Sequence, residues 1–142
     1  MSGCIFCSII RNEVKSVKVF ENDKVLVIMD KQPITNGHML VLPKKHAELL
    51  TELDDEYVGD MFKAAKRVAK ALKGSKLRSG GVNYLLADGA EAGQEVYHAH
   101  LHVIPRYRND GFYLHMPSKY ENETRIEDLE KAAGKIRSKL QG

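Results

Sequence analysis

His98, His100 and His102 stand at every second position of the run His98-Ala99-His100-Leu101-His102-Val103-Ile104, and they are three of only six histidines in the chain. On an extended backbone alternate side chains share a face. The spacing therefore predicts three imidazoles in one row, with Ala99, Leu101 and Val103 turned the other way into a core. Imidazole titrates near neutral pH and serves as base, nucleophile or metal ligand. If a carbonyl holds the Nδ1–H of the central His100, its Nε2 keeps a free lone pair. That nitrogen can attack the phosphorus of a bound phosphate and form a phosphoramidate, dividing one displacement into two. Protonated neighbours would stabilise the oxygens that gain charge. No metal at phosphorus is needed. Two other readings of the row stand beside this one. Imidazoles two apart on a strand also chelate zinc, iron or copper, although no carboxylate accompanies the row. A polar strand face can also carry histidines without using them.

Cys4 and Cys7 are the only cysteines, spaced Cys-x-x-Cys. A redox pair of this form normally opens a helix in a thioredoxin-like unit, and the surrounding pattern lacks one. A disulfide is disfavoured in a reducing cytosol. Zinc requires four ligands, typically thiolates and imidazoles, which His46 and His98 could complete if the fold brings them near. A structural zinc and a pair of free thiols both remain open, with zinc ahead.

The elements that must position these groups are legible in the hydrophobic pattern. Val17–Glu21 and Lys24–Asp30 read as strands joined by an Asn22-Asp23 turn, the second aliphatic enough for burial on both faces. Pro33–Gly37 is a loop, and His38–Leu42 is a third strand stopped at Pro43. A long helix follows from about Asp54 to Lys73, with Val58, Met61, Phe62, Ala65, Val68, Ala69 and Leu72 on its buried stripe. Asp54, Asp55 and Glu56 favour its start, and Gly74 ends it. Gly80-Gly81 leads into a fourth strand, Val82–Leu86. The loop Asp88–Gly93 leads into the histidine strand, Val96–Ile104. After a long connection from Pro105 to Glu123, Thr124-Arg125-Ile126-Glu127 has the form of a capping box. The helix it opens places Ile126, Leu129, Ala133, Ile136 and Leu140 on one stripe. The pattern gives an α+β fold: a five-stranded antiparallel sheet with one long central helix and a C-terminal helix.

With 142 residues, 43% hydrophobic and 29% charged, the chain suits a single domain over residues 1–142. Its longest apolar run, Val25–Met29, is far too short to cross a bilayer. No secretory leader pattern opens the chain, so the expected location is cytoplasmic, without a membrane partner. The net charge of +3 agrees with an anionic ligand. Lys63, Lys66, Arg67, Lys70 and Lys73 fall at helical spacing as a solvated face. Without interleaved aromatics they give no strong nucleic-acid signal.

The motifs together resemble the histidine triad (HIT) superfamily of nucleotide hydrolases and transferases, and the likeness covers most of the chain. It rests on His-x-His-x-His with Ala92-Gly93-Gln94 before and Pro105-Arg106 after, and on Ile5-Phe6 with Ile9-Ile10. It rests also on Asp30 with Pro33, Gly37-His38, and Leu40-Val41-Leu42-Pro43-Lys44-Lys45-His46. Asp88-Gly89 with Glu91–Gln94 is closest to the Fhit-like branch. The resemblance implies a homodimer whose two sheets join into one of ten strands. It implies attack by His100 on the α-phosphorus of a purine nucleoside phosphoramidate or dinucleoside polyphosphate, through a covalent nucleotidyl-histidine intermediate. His102 would contact the phosphate and the backbone of His98 would orient His100. Asp30 matches the ribose-binding acid. Ile5, Phe6, Ile9 and Ile28 match the apolar base cleft, although their residue types alone favour plain core. His38 matches a histidine behind the row, and Gln94 and Glu95 fall at the substrate. No cofactor is implied for catalysis. Several microbial members resemble this chain in having both cysteines, the equivalent of His46 and the first triad histidine, which implies a structural zinc on Cys4, Cys7, His46 and His98.

Two positions depart from the family pattern. Ala87 stands where an amide side chain is usual, and Glu95 where a hydroxyl is usual. An inward Glu95 would repel a polyphosphate leaving group by about 3 kcal/mol per charge at roughly 5 Å and an effective dielectric near 20. The expectation is a bias toward neutral or cationic leaving groups such as amines. The alternative function is a non-catalytic module that binds purine nucleotides, or a protein partner, through the same cleft.

Overall fold

A computed structural model of the chain describes residues 3–140. They form two compact units, one ending at Phe112 and the other beginning at Tyr113. The first unit holds five strands: β1 (Lys18–Glu21), β2 (Val25–Met29), β3 (Met39–Pro43), β4 (Gly81–Leu85) and β5 (Leu101–Arg106). They make one sheet in the order β1-β2-β3-β5-β4, every pair antiparallel. Asn22 turns the first hairpin, its Oδ1 accepting from the amides of Lys24 and Val25 at 2.9 Å each.

Val25 to Ile28 and the whole of β3 are buried because both faces of the sheet are covered. On one face Val25, Val27, Met39, Val41, Leu101 and Val103 pack with Met61, Ala65, Val68 and Leu72 of the long helix α2 (Asp55–Lys73). On the other face Leu26, Ile28, Leu40 and Leu42 pack with Phe6 and Ile9. The last two belong to a short helix, α1 (Ile5–Ile10), capped by the Cys4 Sγ, which accepts from the Cys7 amide at 3.3 Å. The sequence gives no periodic sign of α1, since six residues are too few to show one and too few to be stable alone.

Several boundaries differ from the sequence expectation, each for a local reason. The histidine strand begins at Leu101 rather than Val96, so His98 and His100 precede it. There the Ala99 amide donates to the Ala47 carbonyl at 2.8 Å instead of to a ladder. The same strand runs through Pro105 to Arg106. Its pairing with β3 stops at Val103, so the missing N–H of Pro105 costs no ladder bond on that side. His38 lies just outside β3, which extends to include Pro43. Phe62, expected on the buried stripe of α2, is 46% exposed. Asp54 precedes α2 without capping it, because its carboxylate takes the Lys45 ammonium at 2.6 Å.

Arg106 ties down the end of the first unit. It donates to both oxygens of Asp110, at 2.8 and 3.0 Å, and to Asn83 Oδ1 at 2.6 Å. That pairing holds the Asp110 carboxyl well below the usual carboxylate range.

In the second unit, α3 (Ile126–Arg137) starts one residue later than a capping box on Thr124 requires. Arg125 is its N-cap, with no side-chain bond to the helix amides. The Arg125 guanidinium meets Asp128 at 3.1 Å. No residue of α3 is buried. Among the described residues no helix is long and apolar enough to cross a membrane.

Candidate active site

The register sets the face on which the histidines stand. His102 pairs with Leu40 of β3 and Leu85 of β4. Leu40 belongs to the cluster under α1, so His102 shares that face of the sheet. The rings of His100 and His102 are 5.0 Å apart, and Phe6 presents an edge-on contact to His100 at 4.9 Å and to His98 at 5.9 Å.

Each imidazole has a polarity fixed by its partners. His100 donates its Nδ1–H to the carbonyl of His98 at 2.7 Å, which leaves a lone pair on Nε2. His38 accepts the Ile34 amide on Nδ1 at 3.0 Å, so its hydrogen sits on Nε2. That hydrogen goes to His102 Nδ1 at 2.9 Å. His102 in its neutral form then carries its own N–H on Nε2. The result is a directed chain from the Ile34 amide through His38 to a donor on His102. Gly37 makes the approach to His38: its φ of +94° suits glycine, and an added Cβ would come within 3.1 Å of Leu77 and Pro105 side chains. Asp30 closes the group from the end of β2, with Oδ1 accepting the Gln32 amide at 2.8 Å and Oδ2 lying 3.6 Å from His38 Nε2.

Burial sets the charge of this group. It lowers the affinity of His38 and His100 for a second proton, against the opposing pull of Asp30. His102 falls to about 4, through burial and then the neighbouring His100 and His38. His98 also falls to about 4, chiefly by burial. Where the sequence suggests protonated neighbours, burial favours the uncharged form along the row, in which His102 offers a hydrogen-bond donor.

The other end of the row is built differently. His98 donates Nε2–H to the Pro43 carbonyl at 2.8 Å, so its Nδ1 is a lone pair. That nitrogen faces Cys4 Sγ at 3.4 Å, Cys7 Sγ at 3.6 Å and His46 Nδ1 at 3.2 Å, and Cys7 Sγ lies 3.3 Å from His46 Nδ1. A tetrahedral ion with bonds of about 2.0–2.3 Å needs ligand atoms roughly 3.3–3.8 Å apart. Two thiols and two imidazoles converge at these separations, so the donor set fits zinc. Asp30, His38 and His102 also come together. There the His38 ring spends one nitrogen as an acceptor and the other as a donor, which leaves no lone pair for a metal.

Of the residues expected at the base cleft, Phe6, Ile9 and Ile28 form the buried cluster under α1, while Ile5 is largely exposed. Gln94 is buried and bonded within the protein. Its oxygen accepts the Gly89 amide at 2.7 Å and its nitrogen donates to the carbonyls of Glu48 and Val96 at 2.7 and 3.0 Å. It holds the loop before the row, and its expected substrate contact is withdrawn because every polar atom of its amide is engaged. Glu95 is exposed and lines a cavity of about 370 Å³ with Cys4, Ile5, His46, Glu48 and Tyr97. Solvent there screens its charge.

Comparison with known proteins shows the family and the fold. A family model of the HIT domain matches residues 11–109. A HIT family protein of Bacillus anthracis has a crystal structure that superimposes with a TM-score of 0.90 at 38% identity, covering 99% of each chain. A zinc-bound histidine triad family protein of Mycobacterium smegmatis superimposes with a TM-score of 0.75 at 33% identity, covering 97% of this chain and 98% of that one. The adenosine 5'-monophosphoramidase HNT1 of Saccharomyces cerevisiae is 37% identical over 142 residues, covering 99% of this chain and 85% of the yeast protein. The row, the sheet that carries it and these likenesses make the chain a member of the histidine triad family.

Proposed function

We propose that this protein is a nucleotidyl hydrolase or transferase that attacks the α-phosphorus of a purine nucleoside phosphoramidate with Nε2 of His100. The observation that carries the reading is the 2.7 Å bond from His100 Nδ1–H to the His98 carbonyl, which leaves Nε2 as the free nucleophile. Attack forms an Nε2–phosphorus bond and breaks the phosphorus–nitrogen bond, and the departing amine takes up a proton. Water then adds across the new bond and releases a nucleoside monophosphate and the free imidazole. His102, oriented through His38, donates its Nε2–H to a phosphoryl oxygen as charge develops there. Asp30 accepts the ribose hydroxyls, and Ile5, Phe6, Ile9 and Ile28 hold the base.

The phosphoramidase activity named for the yeast relative supports the amine leaving group over a polyphosphate. Ala87 and Glu95 point the same way, since neither offers a polyphosphate a donor. No cofactor takes part in the reaction. Cys4, Cys7, His46 and His98 would hold a structural zinc ion, whose four filled positions leave none for substrate. A second copy of the chain would pair along β4, an edge strand with Tyr84 and Leu85 exposed, and extend the sheet. The other edge, β1, carries Lys18 and Glu21.

Incubation with an adenosine phosphoramidate and with a dinucleoside polyphosphate tests the reading. Turnover of the first, with a nucleotidyl adduct trapped on His100, supports it. Retained nucleotide affinity without turnover of either substrate replaces it with the binding module.

A further inference from the structure

We propose that Cys4, Cys7 and His46 are positioning residues for the reaction: by holding one metal ion with His98 they clamp the base wall and the nucleophile together, so metal occupancy sets nucleotide affinity. The inference rests on the function proposed above, and it assigns the corner a role beyond stabilising the fold.

The connection runs along two short paths. The first goes through α1. This helix is a turn and a half long, and its order depends on what it touches. Cys4 caps its first turn, and Cys7 lies within it. Phe6, between the two cysteines, is the residue whose ring edge meets both His98 and His100. An ion held by both thiols fixes the helix turn that carries Phe6. The second path goes through His98. Its ring joins the corner through Nδ1 and the Pro43 carbonyl through Nε2, while its own carbonyl receives the His100 Nδ1–H. A fixed His98 holds the acceptor that selects the reactive tautomer of His100.

His46 separates a clamp from ordinary packing. Among the described residues its polar partners are Cys7 and His98, and its ring meets that of His98 edge-on. It makes no hydrogen bond or ring contact, among the described residues, with Phe6 or His100. Its polar link to them runs through the shared set. The cavity of about 370 Å³ reaches Cys4 and His46, which gives an ion or a chelator access from solvent.

The test compares zinc-loaded protein, chelator-treated protein, His46→Ala and His46→Cys. Metal content, the Kd for AMP and amide hydrogen exchange over residues 5–10 are measured on each. Far-UV circular dichroism and a cooperative melt establish that each form is folded. Zinc removal and His46→Ala should each weaken AMP binding by about tenfold or more and speed exchange of α1 to a similar degree. They should raise KM more than they lower kcat. His46→Cys keeps a three-thiol, one-imidazole set and should restore zinc, affinity and protection together. The proposal is overturned if loaded and chelated forms bind AMP equally, if α1 exchange does not respond, if no zinc binds, or if the stripped forms unfold outright. Failure of the function is distinct: zinc-loaded protein would then hold a protected α1 yet bind no nucleotide, which overturns both readings.

Discussion

The two ends of the histidine row use one residue type for opposite purposes. At the Cys4–Cys7–His46–His98 end, lone pairs converge: His98 spends its N–H on the Pro43 carbonyl and turns a bare nitrogen toward two sulfurs and a second imidazole. At the Asp30–His38–His102 end, donors and acceptors alternate head to tail from the Ile34 amide outward. The first arrangement suits a cation, and the second suits an anion in need of hydrogen-bond donors. His100 lies between them and takes its tautomer from the carbonyl of His98, not from its side chain. Which end of an imidazole meets a carbonyl thus decides whether it is free to serve as a ligand, a donor or, in the proposed reaction, a nucleophile.

Removing the central nitrogen should have the largest effect. His100→Ala should lower kcat on an adenosine phosphoramidate by at least about 10³-fold with AMP affinity retained. A loss under tenfold in steady-state assays would move the nucleophile elsewhere.

Breaking the donor chain should matter less. His38→Ala leaves His102 without its orienting donor, and kcat should fall by about 10- to 100-fold. The zinc content should be unchanged, which metal analysis of the same samples checks. If zinc is lost too, the two ends are not independent.

The pH profile gives a finer comparison. In the proposed reaction His100 would attack only when neutral, and burial lowers its pKa from the ordinary 6.5. Activity should therefore be level above neutrality and fall in acid with a midpoint below 6.5 in kcat/KM. A midpoint above that value would mean that an anionic neighbour outweighs burial.

Gln94 offers a contrast in kind, since its side-chain bonds are all to the loop and its surroundings. Gln94→Leu leaves the Gly89 amide and two carbonyls without this partner and should destabilise the fold by about 1–3 kcal/mol, read from denaturant midpoints. KM should change little; a large rise would return the side chain to the substrate site.

Glu95→Ser should have the smallest effect. In solvent at roughly 5 Å the repulsion it exerts is about fourfold in rate, well below the value for a buried charge. Relative turnover of phosphoramidate and polyphosphate substrates measures it.

Much of this protein is written locally. Alternation at positions 98, 100 and 102 put the imidazoles on one face, and the aliphatic runs of β2 and β3 with the stripe of α2 gave the sheet and its cover. Those signals depend only on side-chain period, which a sequence carries directly. The six residues of α1 were too few to carry it, and the start of β5 depended on a carbonyl at Ala47 that takes the Ala99 amide. Direction within the site was likewise beyond reach. Spacing states the side of the backbone from which a ring projects, but not which nitrogen finds a carbonyl. Pro43 meets His98 across 55 residues of chain, and Gln94 reaches Glu48 across 46. The residues able to do the chemistry were determined by the sequence; their protons, and hence their separate roles, were decided by partners that only the folded chain brings within hydrogen-bond distance.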